Sequence, residues 1–402
     1  MKKLKKIVKY ILITILFFIC FNFLSMPFKG ESTFTVTVIF YGLLFAIPLG
    51  LFYYLKIKSK NLLLVIVSIL FSLFISEIAL RFILKYPVTY SERQWGYYTT
   101  MYDSENNKIA NSEQKKEVAQ NKHLFLLAKN TTRDYQTSEF DYQNEKTNVL
   151  GLRGKLPSKS KKSLLTLGDS FTESIGAPTD SSYPFLLQKQ LLKINPKLQV
   201  INGGVSGSDP FFEFKLLKHL HQQFPIYGVI FMINTSDVND VMMRGNNGRF
   251  LQNGSLMFRK APFWEPLYAV SYVFRLLIHS MGYNYTLMTN NEEKTARKEA
   301  INSICQLFQK EIIPWAKKEN IQVYVVLQPM SMEVKNTKAD YSRLNEHLSK
   351  MHIKYLNLRQ HLKQLKKPED LYWKSDGHFK SIGYLYVSTC IYQHFFCSTN
   401  KQ

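Results

Sequence analysis

A serine that could act as a nucleophile follows a short apolar run near the middle of the chain. The run Leu164–Leu167 ends at Gly168-Asp169-Ser170, and a helix is predicted to begin directly afterwards. A buried strand fixes the position of such a serine, and a glycine lets the backbone turn sharply. The N–H groups of the following helix would face an anion formed beside the serine. An ordinary strand–turn–helix corner with a serine cap is the alternative, and this stretch alone does not decide between them.

A histidine with a neighbouring carboxylate lies near the end of the chain. Asp376 and His378 are separated by one glycine and come just before the last predicted helix. An aspartate two residues before a histidine can orient the imidazole while its other nitrogen faces a serine. Taken alone, such a D-G-H sequence is more often a surface loop.

Two further polar loops contain groups that could bind an anion. The glycine-rich loop Asn202–Asp209 leads into a first-turn proline, and the backbone N–H of Gly207 could face an oxyanion. A later loop contains Asn234, Ser236 and Asp237, whose polar groups could donate to an anion or cap the next helix.

An alternation of apolar and helical stretches from residue 163 onwards positions these loops. Short strands that alternate with helices predict an α/β fold with a parallel sheet covered on both faces. In such sheets the ligand site lies at the carboxyl ends of the strands, beside the switch in strand order. The four loops therefore converge on one end of one sheet. The predicted strands are 164–167, 198–202, 229–233, 323–327 and 354–358, and the predicted helices are 182–193, 210–223, 292–318, 340–351 and 380–395.

The ordered set of motifs resembles the SGNH (GDSL-type) hydrolase superfamily. Gly168–Thr172 matches its first block, Gly207 its second-block glycine, and Asp376 with His378 its last block in a D-x-H version. Asn148–Gly154 also resembles membrane-anchored bacterial members. The resemblance implies a flavodoxin-like, doubly wound parallel sheet. It also implies a catalytic triad of Ser170, His378 and Asp376.

The third motif block departs from the family pattern. That pattern, G-x-N-D, has an asparagine whose amide helps to form the oxyanion hole. Aligning its aspartate with Asp237 puts Ser236 at the asparagine position, with Asn234 as a nearby substitute. The predicted oxyanion residues are therefore Gly207, Ser236 and Asn234. The predicted substrate-binding residues are Asp169, Asp237 and Arg249.

Three long apolar runs near the N-terminus predict a membrane anchor. Tyr10–Phe28, Phe34–Leu55 and Asn61–Leu84 are each about 20 residues long, enough to span a bilayer as a helix. Lysines before the first run and between the second and third place those segments in the cytoplasm. We therefore expect a multi-pass protein of the bacterial inner membrane, with an extracytoplasmic catalytic domain.

The predicted domains are a three-helix anchor over 1–85, a juxtamembrane linker and domain edge over 86–147, and an SGNH hydrolase-like domain over 148–402. An insertion over 241–291 could be a lid, a helix on the membrane, or an extra helix that covers the sheet. The chain carries a net charge of +22, which favours anionic partners, but has no arginine-rich tract interleaved with aromatics that would indicate nucleic acid. Its four cysteines form no C-x-x-C pair, so no metal site is predicted, and the expected chemistry needs no cofactor.

These observations predict a membrane-anchored serine esterase that removes O-acyl groups, in particular acetyl groups, from cell-envelope or exported glycans. The expected partners are the membrane and an acylated glycan or lipid substrate. Two alternatives stay open. One is an O-acyltransferase on the same polymers, with a membrane acyl-transfer partner. The other is a weakly active or non-catalytic glycan-binding module, which Ser236 slightly favours.

Overall fold

The computed structural model describes residues 60–83, 126–127, 129–245, 262–264, 267–268, 271–284, 286–335 and 342–397, together with positions 42, 46 and 50. The described residues fall into two compact units. The smaller one holds 60–83 and the described residues of 262–294, and the larger one holds the described residues of 126–245 and 295–397.

The larger unit contains a five-stranded parallel sheet and a two-stranded antiparallel hairpin. Strand order in the sheet is β4-β3-β5-β6-β7, so the order reverses beside β3. This is the doubly wound, flavodoxin-like order expected from the sequence, with its switch point at the first strand of the sheet. The strands are β1 Thr132–Gln136, β2 Asp141–Lys146, β3 Lys162–Gly168, β4 Leu198–Gly204, β5 Ile226–Ile233, β6 Gln322–Leu327 and β7 Lys354–Asn357.

Helices precede, connect and follow the parallel strands. In chain order they are α1 Lys60–Ile83, α2 Ser170–Glu173, α3 Tyr183–Leu192, α4 Pro210–His221, α5 Thr235–Arg244, α6 Tyr272–Ser280, α7 Asn290–Leu307, α8 Ile313–Lys318, α9 Ser331–Lys335, α10 Ser342–Lys350, α11 Leu358–Leu362 and α12 Ser381–Tyr392. The single helix expected over 292–318 is interrupted by a π-helical turn, Phe308–Ile312, just before Pro314. Proline has no N–H to complete the α-helical ladder, so the hydrogen bonding changes there.

The central strands of the parallel sheet, β3, β5 and β6, form where the sequence is largely apolar. In β5 every residue except Tyr227 is buried, as expected for a parallel strand covered on both faces. Leu164, Leu165 and Leu167 of β3 are fully buried beside it. The sheet core therefore fixes the carboxyl end of β3, where the serine motif begins.

The hairpin β1–β2 lies within a polar stretch that the sequence analysis treated as a linker. Its strands pair antiparallel, with Gln136 opposite Asp141 at the turn. Most of its side chains are exposed, so no alternation of apolar residues signals the strands. The predicted domain boundaries at 85 and 147 stay predictions.

In the smaller unit, a buried carboxylate joins α1 to α6. Glu77 of α1 is fully buried, and its carboxylate accepts hydrogen bonds from the Ser271 hydroxyl and the Tyr272 N–H at 3.1 and 2.9 Å. The apolar sequence of α1 thus includes a charged group that caps another helix of the protein.

The helices of the structure do not agree with the prediction of three membrane-spanning helices. Among the residues that the structure describes, no helix has the length and apolar character needed to cross a membrane. The third predicted span corresponds to α1. The first two, 10–28 and 34–55, lie outside the described residues apart from three isolated positions. The predicted three-helix anchor is therefore wrong. The predicted multi-pass localisation in the inner membrane, with an extracytoplasmic domain, depended on that anchor and is wrong as well.

Candidate active site

The nucleophile candidate lies at a sharp turn between β3 and α2. Gly168 has a φ of +154°, and a Cβ there would lie 2.1 Å from the Thr172 hydroxyl oxygen, so a larger residue would be strained. Asp169 caps α2, because its Oδ1 accepts a hydrogen bond from the Phe171 N–H at 3.0 Å. Ser170 is the first residue of α2, and among the described residues its N–H has no acceptor. The turn therefore presents both the hydroxyl and the N–H of Ser170 at the end of the sheet.

Ser170, His378 and Asp376 form a continuous hydrogen-bonded row. Nε2 of His378 lies 2.7 Å from Oγ of Ser170, and Nδ1 lies 2.6 Å from Oδ1 of Asp376. An ionised aspartate accepts from Nδ1–H, which leaves Nε2 to accept the serine proton. Partial burial acts to raise the pKa of Asp376, but its hydrogen bonds and ion pair with His378 outweigh this and keep that pKa below its ordinary value. The arrangement can therefore remove a proton from the Ser170 hydroxyl.

The loop that carries His378 is tied to the nucleophile turn. The Trp373 N–H donates to the backbone oxygen of His378 at 2.8 Å, and the Trp373 indole N–H donates to the Gly176 oxygen at 2.8 Å. The ring of Phe171 lies 4.7 Å from the imidazole, measured between centroids. These contacts place the imidazole over α2.

The side chains predicted to complete the oxyanion hole bind a carboxylate instead. The Asn234 amide donates to Asp169 Oδ2 at 3.0 Å, and the Ser236 hydroxyl donates to the same oxygen at 2.6 Å. The Asn234 amide nitrogen also lies 3.4 Å from the Gln328 side-chain oxygen. The amide and the hydroxyl are thus engaged with Asp169, and their role in an oxyanion hole stays a prediction.

Two of the three predicted substrate-binding residues are buried in the protein. Asp169 is 3% exposed, and Asp237 is fully buried and accepts the Asn234 N–H at 2.7 Å in a capping box. In these positions their carboxylates hold the loops, and their role in substrate binding stays a prediction. Arg249, the third, lies outside the described residues.

The glycine loop after β4 is held on both sides of Gly207, by Glu173 of α2 on one side and by Gly168 of β3 on the other. Glu173 Oε2 accepts hydrogen bonds from the N–H and the hydroxyl of Ser206 at 2.8 and 2.6 Å. The Ser208 hydroxyl donates to the Gly168 oxygen at 2.9 Å. Gly207 is therefore held beside the serine turn, and its role as an oxyanion donor stays a prediction.

Sequence reasoning missed Glu173 and Arg153, which stabilise the nucleophile turn. Glu173 is buried, and its second carboxylate oxygen accepts from the Tyr135 hydroxyl at 3.0 Å. Burial, followed by the charge of Glu173, raises the pKa of Tyr135. The Arg153 guanidinium donates to the Glu173, Ser174 and Ala177 backbone oxygens at 2.9, 2.8 and 2.6 Å. Arg153 lies in the Asn148–Gly154 motif, which was the only signal of its importance.

Two buried carboxyl groups lie behind the site. Glu213 and Asp237 are fully buried, and burial is the largest cause that raises their pKa values well above the ordinary range. The charge of Asp209 is the next cause for Glu213, and the charge of Asp169 is the next for Asp237. Within the described part of the chain, no three His, Cys, Asp or Glu side chains are grouped so as to hold a metal ion.

Comparisons with known proteins add a likeness in fold. No family model matches the chain, and no match was found among curated proteins. Solved structures that match include TesA, with 14% identity and a TM-score of 0.36 over 59% of this chain and 99% of TesA. They also include the acetylxylan esterase Axe2 from Geobacillus stearothermophilus, with 14% identity and a TM-score of 0.35 over 59% of this chain and 96% of Axe2.

A lipolytic protein of the G-D-S-L family from Desulfitobacterium hafniense DCB-2 matches over 58% of this chain and 100% of its own, with 13% identity and a TM-score of 0.34. A protein of the G-D-S-L family, the family that the sequence motifs resemble, is therefore among the solved structures that match. The chemistry is inferred below from the geometry of the site.

Proposed function

We propose that this chain is a serine ester hydrolase of the SGNH (GDSL-type) kind, with Ser170 as nucleophile. The observation that carries the proposal is the position of His378, whose two ring nitrogens lie 2.7 Å from Ser170 Oγ and 2.6 Å from Asp376 Oδ1. A histidine between a serine at the end of a strand and an aspartate is the arrangement that activates a serine for acyl transfer.

In the first half-reaction, Ser170 Oγ attacks the ester carbonyl carbon while His378 Nε2 takes the hydroxyl proton. The resulting imidazolium is stabilised by the Asp376 carboxylate. His378 then gives this proton to the leaving alkoxide as the carbon–oxygen bond breaks, and the acyl group remains on Ser170. In the second half-reaction, His378 takes a proton from water, whose oxygen attacks the acyl carbon. His378 then returns this proton to Ser170 Oγ as the bond between the acyl carbon and Oγ breaks, which releases a carboxylic acid and regenerates free serine.

Backbone groups are the oxyanion donors in this proposal. The N–H of Ser170 stands at the start of α2, and the N–H of Gly207 lies in the loop that Glu173 attaches to α2. Asn234 and Ser236 act indirectly in this proposal, because their hydrogen bonds hold the Asp169 carboxylate that caps α2. With fewer side-chain donors, we expect modest turnover, since one oxyanion donor is worth about 3 kcal/mol.

Acetylated glycans are the substrate class that we propose to test first. The strongly basic chain, with its net charge of +22, is suited to acidic polymers that carry O-acetyl groups. Removal of the acetyl group by water makes the protein a deacetylating esterase. A sugar hydroxyl as acceptor in the second half-reaction would make it an acyltransferase.

The test is hydrolysis of a small aryl acetate by the purified full-length protein. We expect turnover that is lost in Ser170→Ala and kept in Ser181→Ala, which removes a hydroxyl whose partner in the described part of the chain is Asp180. Acetate release from an O-acetylated acidic polysaccharide, with and without an acceptor oligosaccharide, then distinguishes hydrolysis from transfer. Equal turnover by Ser170→Ala and the wild type would refute the proposal, and so would glycan binding without any turnover.

A further inference from the structure

We propose that Glu139, in the turn of the hairpin β1–β2, is a positioning residue for the catalytic loop that carries Asp376 and His378. This inference rests on the proposed function, because it assigns a role in the same site. It goes beyond the triad, since Glu139 touches neither the serine nor the imidazole and acts through the backbone of the loop.

The Glu139 carboxylate accepts three consecutive backbone N–H groups. Its Oε1 accepts from Lys374 at 2.9 Å, and its Oε2 accepts from Ser375 and Asp376 at 2.8 Å each. Three charge-assisted hydrogen bonds from successive residues define the path of the backbone just before His378. The bond from the Asp376 N–H is the largest cause that lowers the pKa of Glu139, so the carboxylate stays ionised at neutral pH.

The hairpin turn holds this carboxylate in place. The Thr137 hydroxyl oxygen accepts the N–H groups of Glu139 and Phe140 at 3.1 and 3.2 Å, and the Thr137 N–H donates to the Phe140 oxygen at 2.9 Å. The Phe140 ring packs beside Trp373, with 5.4 Å between ring centroids. The turn thus docks on the catalytic loop through one apolar contact and one carboxylate.

The catalytic loop needs such an anchor because its own backbone is permissive. Gly377, between Asp376 and His378, has a φ of +85°, and a Cβ there would meet no atom within 4 Å. The Asp376 and His378 side chains are 23% and 21% exposed, so packing alone does not immobilise them. A displacement of about 1 Å can cost about 100-fold in rate. Fixing residues 374–376 therefore sets the distance between His378 and Ser170.

The test compares Glu139→Ala and Glu139→Gln with Asp134→Ala in the full-length protein. Asp134 is a matched control, because its carboxylate also accepts a hairpin backbone N–H, from Asn144 at 2.9 Å, but does not touch the catalytic loop. For aryl acetate hydrolysis we expect kcat of Glu139→Ala to fall about 10- to 100-fold with KM changed less than about twofold. Glu139→Gln keeps one acceptor oxygen and should be intermediate, and Asp134→Ala should equal the wild type.

Amide hydrogen exchange gives a second readout that does not require activity. The N–H groups of residues 374–376 should exchange faster in both Glu139 variants than in the wild type. In Asp134→Ala their exchange rates should equal those of the wild type. Wild-type kcat and exchange in Glu139→Gln would overturn the inference, even where Glu139→Ala fails to fold, and so would an equal loss of kcat in Asp134→Ala. If the wild type is inactive but the N–H groups of residues 374–376 exchange faster when Glu139 is replaced, the proposed function alone is refuted.

Discussion

Replacement of Arg153 by lysine should destabilise the larger unit through the turn that carries Ser170. The guanidinium is 3% exposed and reaches three backbone oxygens that follow the nucleophile. It also donates to the Glu145 carboxylate at 3.0 Å and to the Thr179 hydroxyl at 3.0 Å. Lysine keeps the charge but lacks the planar fork that serves these acceptors at once.

The expected magnitude follows from the number of acceptors. Five groups accept hydrogen bonds from Arg153, whereas an ammonium offers three donors from a single point. At least two buried acceptors therefore lose their partner, at about 1–2 kcal/mol each. We expect Arg153→Lys to lower the free energy of unfolding by about 2–4 kcal/mol, a large part of the stability of an ordinary domain.

Urea unfolding followed by far-UV circular dichroism measures this loss. With a denaturant slope of about 1–3 kcal/mol per molar, the midpoint should fall by about 0.7 M or more. Arg133→Lys is the control, because Arg133 is 42% exposed in its side chain and its closest carboxylate contact, to Glu173, is 3.9 Å long. Such an exposed pair contributes less than about 1 kcal/mol. A midpoint shift in Arg153→Lys no larger than in Arg133→Lys would refute the role given to Arg153.

Two other predictions concern the groups behind the nucleophile. Ser236→Ala should lower kcat for an aryl acetate by less than about 10-fold, because the Ser236 hydroxyl bonds to Asp169. Loss of a true oxyanion donor lowers kcat by about 100- to 1000-fold, and a decrease of that size would contradict this placement of Ser236. Because the pKa of Glu213 is raised, the folded state keeps the proton of this carboxyl group to a higher pH than the unfolded state does. The contribution of this group to stability is therefore present below the unfolded pKa and is lost as the pH rises towards the folded pKa. Urea midpoints at pH 5 and pH 8 should therefore show a smaller decrease in Glu213→Gln than in the wild type, and an equal decrease would exclude Glu213 as a contributor.

The parts of the fold that the sequence predicts are those whose signal is local. Runs such as Leu164–Leu167 and the apolar β5 are typical of a buried parallel sheet, so these strands could be inferred, whereas their order came from the resemblance to a known family. The serine and D-G-H motifs could be placed because loops after parallel strands meet at one edge.

Other parts depend on contacts between distant residues. The polar hairpin β1–β2 shows no apolar alternation, and its Tyr135 and Glu139 matter only through the partners that they meet in the folded chain. Ser236 occupies the motif position of an oxyanion donor, but its hydroxyl donates a hydrogen bond to Asp169, 67 residues earlier in the chain. Glu77 in α1 likewise accepts the N–H of Tyr272, a residue 195 positions later in the chain.

The most direct test of the central claim is covalent labelling of the wild-type protein with a fluorophosphonate, followed by peptide mass mapping. The geometry of His378, 2.7 Å from Ser170 Oγ, predicts one phosphonyl group per chain, attached to Ser170. Labelling should be absent in Ser170→Ala and strongly slowed in His378→Ala. Normal labelling of Ser170→Ala, or a wild-type protein that resists the reagent, would contradict the assignment of Ser170 as the nucleophile.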